Sequence, residues 1–177
     1  IWFVDSDDFI SKDALSILQP ILSKNNFDIL KFDKCSLNSD RPPCSYKLSS
    51  TEVVPKTTYI EDISGLLFVL GHGAVWSSIF NREFIGRTRF NSSFTYSEDS
   101  LFTWETVLRA HNIAYLSYPL YGYMRTPGSL TSAKPFVRFE CYLRVIEKYI
   151  SAICSSCRTI PNTLKSTTGC NASIILF

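Results

Sequence analysis

Three carboxylates fall within four residues in Asp5-Ser6-Asp7-Asp8, directly after the apolar run Ile1-Trp2-Phe3-Val4. Carboxylates this close repel one another and raise the cost of ionising them all. A divalent cation removes that cost. Hard oxygen ligands suit Mg2+ or Mn2+, which take one or two carboxylates and complete their shell with water and substrate phosphates. The preceding run lacks polar alternation, so it reads as a strand buried on both faces, as in the parallel sheet of an α/β domain. The carboxyl end of such a strand is where open α/β sheets place ligands. The same four residues also suit a polar strand-to-helix turn whose last acid helps to start the helix. On the residues alone both readings stand.

The other reactive residue types are weaker signals. Glu98-Asp99 stands at the head of a helix, where the dipole favours acids whatever their role. His72 lies between two glycines and reads first as a loop residue, and Arg125 suits either a phosphate or a solvated strand end. Six cysteines stand at 35, 44, 141, 154, 157 and 170. Cys154 and Cys157 form a lone C-x-x-C, whereas a zinc site needs a second pair or two histidines at matching spacing. The two histidines, His72 and His111, are not so placed, and free thiols are the reading.

These residues need elements to hold them. A helix is expected over residues 12–24, with Ser11 as N-cap and Ala14, Leu15, Leu18, Ile21 and Leu22 on one face. Pro20 should kink or shorten it. Residues 27–32 read as a second strand, completing a βαβ unit. Residues 34–58 are polar and proline-rich and read as a surface excursion with a short hairpin. Helical periodicity returns over residues 59–70 through Ile60, Ile63, Leu67 and Leu70, and Gly71-His72-Gly73 interrupts it. Residues 74–84 read as a short helix or helix–loop. A clear helix runs from Ser97 to about Ala110, with Leu101, Trp104, Val107 and Leu108 on its apolar face. Residues 113–116 and 120–124 are strand candidates split by Pro119. Residues 135–153 read as a further helix with Pro135 at its start. No internal repeat is present.

The chain has 177 residues, 45% hydrophobic and 19% charged, enough for one domain with a substantial core. A net charge of +2 without a dense Lys/Arg run makes no case for a nucleic-acid partner. No stretch approaches the ~20 apolar residues of a membrane span. The opening residues carry no basic-then-apolar signal pattern, which disfavours a secreted disulfide module.

The acidic turn, the segment Ala74-Val75-Trp76-Ser77-Ser78-Ile79-Phe80-Asn81-Arg82, Arg89-Phe90, Glu98-Asp99, and Tyr121-Gly122-Tyr123-Met124-Arg125 leading to Gly128-Ser129-Leu130-Thr131 follow one another in order. This ordered set resembles the family 2 glycosyltransferases, above all the bacterial enzymes that build surface polysaccharides, over about residues 1–150. The resemblance implies an α/β chain with a partial GT-A fold, a mixed, mostly parallel sheet flanked by helices, over residues 1–153, followed by a tail of residues 154–177. It implies inverting transfer of a sugar from a nucleotide-diphosphate donor to a glycan or lipid-linked acceptor. Asp5-Ser6-Asp7 matches the family's D-x-D, so Asp7 would ligate Mn2+ or Mg2+ and Asp5 would hold the ribose or a metal-bound water. Asp8 is a weaker candidate. Asp99 matches the family's general base and Glu98 its neighbour. Trp76 corresponds to an acceptor-site position, where it would stack on a sugar, although a tryptophan followed by Ile79 and Phe80 is equally a core residue.

Resemblance also sets expectations about place and completeness. The reaction is expected in the cytoplasm, near the inner face of the membrane where lipid-linked acceptors lie. The family's first strands, which cradle the nucleotide base, have no counterpart before Ile1. The sequence therefore reads as a later portion of the domain, with little activity expected of it alone. The rival reading is a non-catalytic remnant that binds glycan or a partner protein.

Overall fold

The computed structural model describes residues 1–38, 55–94 and 96–125, together with residues 143, 146, 147 and 150. In chain order the elements are β1 (Phe9–Ile10), α1 (Ala14–Lys24), β2 (Ile29–Asn38), β3 (Lys56–Tyr59), α2 (Ile63–Gly71), β4 (Ser78–Phe80), α3 (Arg82–Ile85), α4 (Glu98–Val107) and β5 (Ile113–Arg125), with a 3-10 turn at Val75–Ser77 before β4. They form the mixed α/β architecture expected. The sheet runs β1-β5-β2-β4, and β3 also pairs with β5. Its long central pairing, β2 with β5, is parallel, and the three shorter pairings are antiparallel.

The central pair is set in register at its start. The Asp28 carboxylate accepts the backbone N–H groups of His111 (2.7 Å) and Asn112 (3.0 Å), placing Ile29 beside Ile113. Pro119 does not split β5. It stands opposite Asp33 at a register irregularity, where a residue without an N–H donor costs the ladder nothing. The two strand candidates of the sequence are thus one strand with a bulge.

Alternation along β2 and β5 sends successive side chains to opposite faces. Ile29 and Ile113 join a core with Val69, Leu70, Phe80, Leu101, Phe102 and Val107, built on α2 and α4. Leu30, Phe32 and Leu116 join a second core with Ala14, Leu18 and Trp76.

The opening residues depart from expectation. They do not form a buried parallel strand. Trp2 makes an isolated antiparallel bridge to Ile79, and Ile1 exchanges hydrogen bonds with Phe80 (2.7 and 2.8 Å). Ile1 and Val4 are 47% and 44% exposed. Between them, Trp2 packs edge-on against Phe32 at 5.0 Å and Phe3 against Phe80, Phe90 and Phe102, so the adjacent rings serve the two cores.

Other boundaries shift for local reasons. Helix α1 starts at Ala14, with Asp13 rather than Ser11 at the cap position and no side-chain cap bond. It continues through Pro20, which lies on the exposed side. Its buried face is Ala14 and Leu18 with Ile17 and Ile21 beside them, while Leu15 is 77% exposed. Tyr59 belongs to β3, and α2 begins after Asp62, whose carboxylate accepts the Gly65 N–H (2.7 Å). Residues 74–84 resolve into the 3-10 turn, β4 and α3. The excursion expected at 34–58 falls partly to β2 and β3, and residues 39–54 lie outside the described residues, as do Ser129, Thr131 and the tail 154–177 with Cys154 and Cys157. Of the helix expected at 135–153, Leu143, Ile146, Glu147 and Ile150 are described and helical.

Candidate active site

The acidic turn is held in place from β5. The Asp8 N–H donates to the Asp5 carbonyl at 3.2 Å, closing the turn. The Tyr121 hydroxyl donates to Asp8 Oδ2 (2.7 Å) and accepts the Asp5 N–H (3.1 Å), and the Met124 N–H donates to Asp8 Oδ1 (2.7 Å). Each Asp8 oxygen thereby accepts one hydrogen bond from β5. Asp8, the weaker candidate of the acidic turn, has a structural task here, since its carboxylate pins the turn to the strand. Asp5 and Asp7 are exposed, and among the described residues no hydrogen bond engages either carboxylate.

Asp99 is presented by the first turn of α4. Ser97, before the helix, has φ 61° and ψ 18°, a left-handed conformation uncommon for a non-glycine residue. Strain of this kind concentrates at functional sites. Asp99 Oδ1 accepts the Ser100 N–H (2.7 Å). Burial pushes the Asp99 carboxyl above the usual carboxylate range, and the Glu98 charge adds to this against the Ser100 hydrogen bonds. Asp5, exposed but partly shielded, is pushed up as well, first by that partial burial and then by the charges of Asp8, Asp7 and Asp99. The Asp99 charge is the smallest of these influences, and it links the head of α4 to the acidic turn.

Trp76 is a core ring. It is 8% exposed, lies parallel to Tyr121 (4.7 Å, 11°) and Tyr123 (5.5 Å, 14°), and has Lys34 Nζ 4.9 Å above it. Of its two readings the geometry is that of packing, with little ring surface left for a sugar. His72 is exposed, with Nδ1 2.8 Å from the Phe68 carbonyl, and Arg125 is exposed at the end of β5.

Sequence reasoning passed over Lys31. Its side chain is 1% exposed. Its ammonium donates to the His72 carbonyl, the Ala74 carbonyl (3.4 Å) and Ser77 Oγ (3.2 Å). Burial pushes it down to about 7, and the Asp99 charge opposes that shift. The available signal was a lone positive charge midway along the otherwise apolar run of residues 29–32.

Among the described residues no group of three or more His, Cys, Asp or Glu side chains is arranged to hold a metal ion. Asp5 and Asp7 suit the sparser mode, in which one or two carboxylates hold Mg2+ or Mn2+ and a diphosphate completes the shell. The negative charge gathered at Asp5 is what such a cation would relieve.

No family model matches the chain. It is 28% identical over 137 residues to the uncharacterized glycosyltransferase EpsJ of Bacillus subtilis (strain 168), covering 74% of this chain and 39% of that protein. Its backbone matches S. aureus TarS 1-349 in complex with UDP-GlcNAc with a TM-score of 0.57, at 22% identity, over 81% of this chain and 40% of that one. The chain has a partial glycosyltransferase fold. TarS 1-349 in complex with UDP matches with a TM-score of 0.51 and 20% identity over 93% of this chain. The chain is glycosyltransferase-like in sequence and fold, and it spans about two-fifths of the EpsJ relative's length.

Proposed function

We propose that the chain carries part of the catalytic domain of an inverting, metal-dependent family 2 glycosyltransferase. The enzyme moves a sugar from a nucleotide-diphosphate donor to a glycan or lipid-linked acceptor in bacterial surface polysaccharide synthesis. The observation that supports this reading is that the Asp99 charge reaches Asp5, as the smallest of the influences raising it, although every element from β1 to α3 lies between the two residues in sequence.

Each residue then has a task. Asp7 and Asp5 would hold Mn2+ or Mg2+, whose charge neutralises the diphosphate as it departs. Asp99 takes the acceptor hydroxyl's proton as the oxygen attacks the anomeric carbon and the bond to the diphosphate breaks on the opposite side. Its Oδ1 is engaged by Ser100, and Oδ2 makes no hydrogen bond among the described residues, which leaves it to receive the proton. A carboxyl raised by burial is a stronger base than an exposed one. Glu98 and the Tyr121–Asp8 pair position the groups. TarS was crystallised with UDP-GlcNAc and with UDP, which makes uridine nucleotide-sugars the first donors to try. Lipid-linked acceptors would bring the enzyme to the inner face of the membrane from the cytoplasm. No helix among the described residues is long and apolar enough to cross a membrane.

The second reading is a remnant that binds glycan or a partner protein. One experiment separates the two. The intact protein carrying these residues is incubated with UDP-, GDP- and dTDP-sugars and Mn2+, and nucleoside diphosphate release is followed. Release that stops on chelation and with Asp99→Asn supports the transferase. Glycan binding without release under any donor supports the remnant.

A further inference from the structure

We propose that Lys31 is a positioning residue for sugar transfer, holding the loop of residues 72–77 against the head of α4 and thereby fixing Asp99. The proposal rests on the transferase reading above and adds to it a residue outside the acidic turn and the Glu98-Asp99 pair.

The geometry is that of a clamp. An ammonium has three hydrogens and no acceptor. Lys31 spends them on the His72 carbonyl, the Ala74 carbonyl and Ser77 Oγ. Ser77 uses its own hydrogen on the Ala74 carbonyl at 2.8 Å, so its oxygen faces Lys31 as an acceptor. Three acceptors converge on one buried nitrogen, all from the loop that follows α2. Between the two carbonyls lies Gly73. A Cβ there would meet Ser100 Oγ at 3.1 Å, Ser100 Cβ at 3.3 Å and Trp104 Nε1 at 3.3 Å. The loop is thus pressed onto the first turns of α4, directly beside Asp99. Trp104 Nε1 donates to the Leu70 carbonyl at 2.8 Å and ties the same helix to the end of α2. Lys31 lies beneath this junction, on the central strand β2.

Stability alone is a poor account of such a residue. Burying an ammonium is costly, and an aliphatic side chain of similar length would fill the space without that cost. What an aliphatic chain cannot do is turn two loop carbonyls inward and hold them. A displacement of the reacting groups on the scale of an ångström costs large factors in rate, so a device that fixes loop and base together has a kinetic use.

The test uses the intact protein, the UDP-, GDP- and dTDP-sugar panel, and calorimetry with the matching nucleoside diphosphates. Lys31→Met is expected to lower kcat on the order of 10- to 100-fold while the nucleoside diphosphate Kd stays within about 2-fold of wild type. Ser77→Ala, which removes one acceptor of three, should lower kcat by a smaller factor with the same unchanged Kd. Gly73→Ala, whose Cβ would press on Ser100 and Trp104, should lower kcat in the same way, and it decides the matter should Lys31→Met not fold. Folded Lys31→Met with wild-type kcat overturns the proposal. Parallel loss of melting temperature, Kd and kcat in all three variants also overturns it, because that is the pattern of a purely structural residue. A wild type that neither binds a nucleoside diphosphate nor releases one from any donor overturns the transferase reading and this proposal with it. A wild type that turns over while Gly73→Ala and Lys31→Met keep its kcat overturns this proposal alone.

Discussion

The Tyr121 hydroxyl lies 2.7 Å from Asp8 Oδ2, joining the middle of the last described strand to the acidic turn near the start of the chain. The same oxygen accepts the Asp5 N–H at 3.1 Å, and Tyr121 is fully buried. Tyr121→Phe preserves the ring and deletes both bonds. It is expected to cost about 1–3 kcal/mol, the penalty for leaving a carboxylate and an N–H short of a partner. Because the turn carries Asp5 and Asp7, Mn2+-dependent nucleotide affinity should fall as well. Urea denaturation and calorimetry with UDP measure the two effects. A stable Tyr121→Phe protein with unaltered affinity would remove the turn-setting role given to this contact.

Asp99→Asn keeps the shape of the side chain and loses the base. Sugar transfer is expected to fall by about 10²–10⁴-fold, the usual worth of a positioned general base, while donor binding survives. Steady-state transfer rates and calorimetric Kd values on the intact protein provide the comparison.

Asp7→Asn is expected to behave differently, weakening metal and nucleotide binding together because the ligand itself is altered. Titration with Mn2+ and then with UDP in its presence reads this directly. Equal loss of donor affinity in the Asp7 and Asp99 variants would contradict the division of roles between them.

Stability should move opposite to activity at Asp99. Burial raises its carboxyl above the ordinary value of 3.8, so the folded state binds the proton more readily than the unfolded chain. Its favourable contribution is full below 3.8 and is lost as pH rises through the raised folded value. At neutral pH the ionised carboxylate therefore burdens the fold, and Asp99→Asn should melt a few degrees above wild type. The difference should shrink as the pH is lowered towards 4, where wild type carries the proton too. Melting curves of both proteins across that interval test it. A difference that grows on acidification would mean that Asp99 is stabilised as the anion.

What the sequence determined by itself was local. The acids at the head of α4 and its face of Leu101, Trp104 and Val107 are written in adjacent residues and in helical spacing, and that helix lies where the pattern puts it. The strand around residues 29–32 was legible for the same reason, and so was the α/β class. Period and capping depend on neighbours a few positions apart, which a sequence displays directly. Tertiary structure alone decided how each acid of the turn is engaged. Asp8 is bonded by Tyr121 and Met124 because the antiparallel pairing of Phe9 and Ile10 with Gly122 and Tyr121 lays the end of the turn along β5. Trp76 is packed because Tyr121 and Tyr123, alternate residues of the same strand, present their rings to it. Lys31 meets three acceptors because the loop of residues 72–77 closes over β2, with Gly73 lying tight on α4. Asp5 feels Asp99 only once the opening residues run antiparallel to β4, with Trp2 and Phe3 anchored in the two cores. Each of these relations joins residues far apart in the chain. Register, bulge position and close backbone approach are set by packing among all the elements at once, and no local pattern in the sequence carries them.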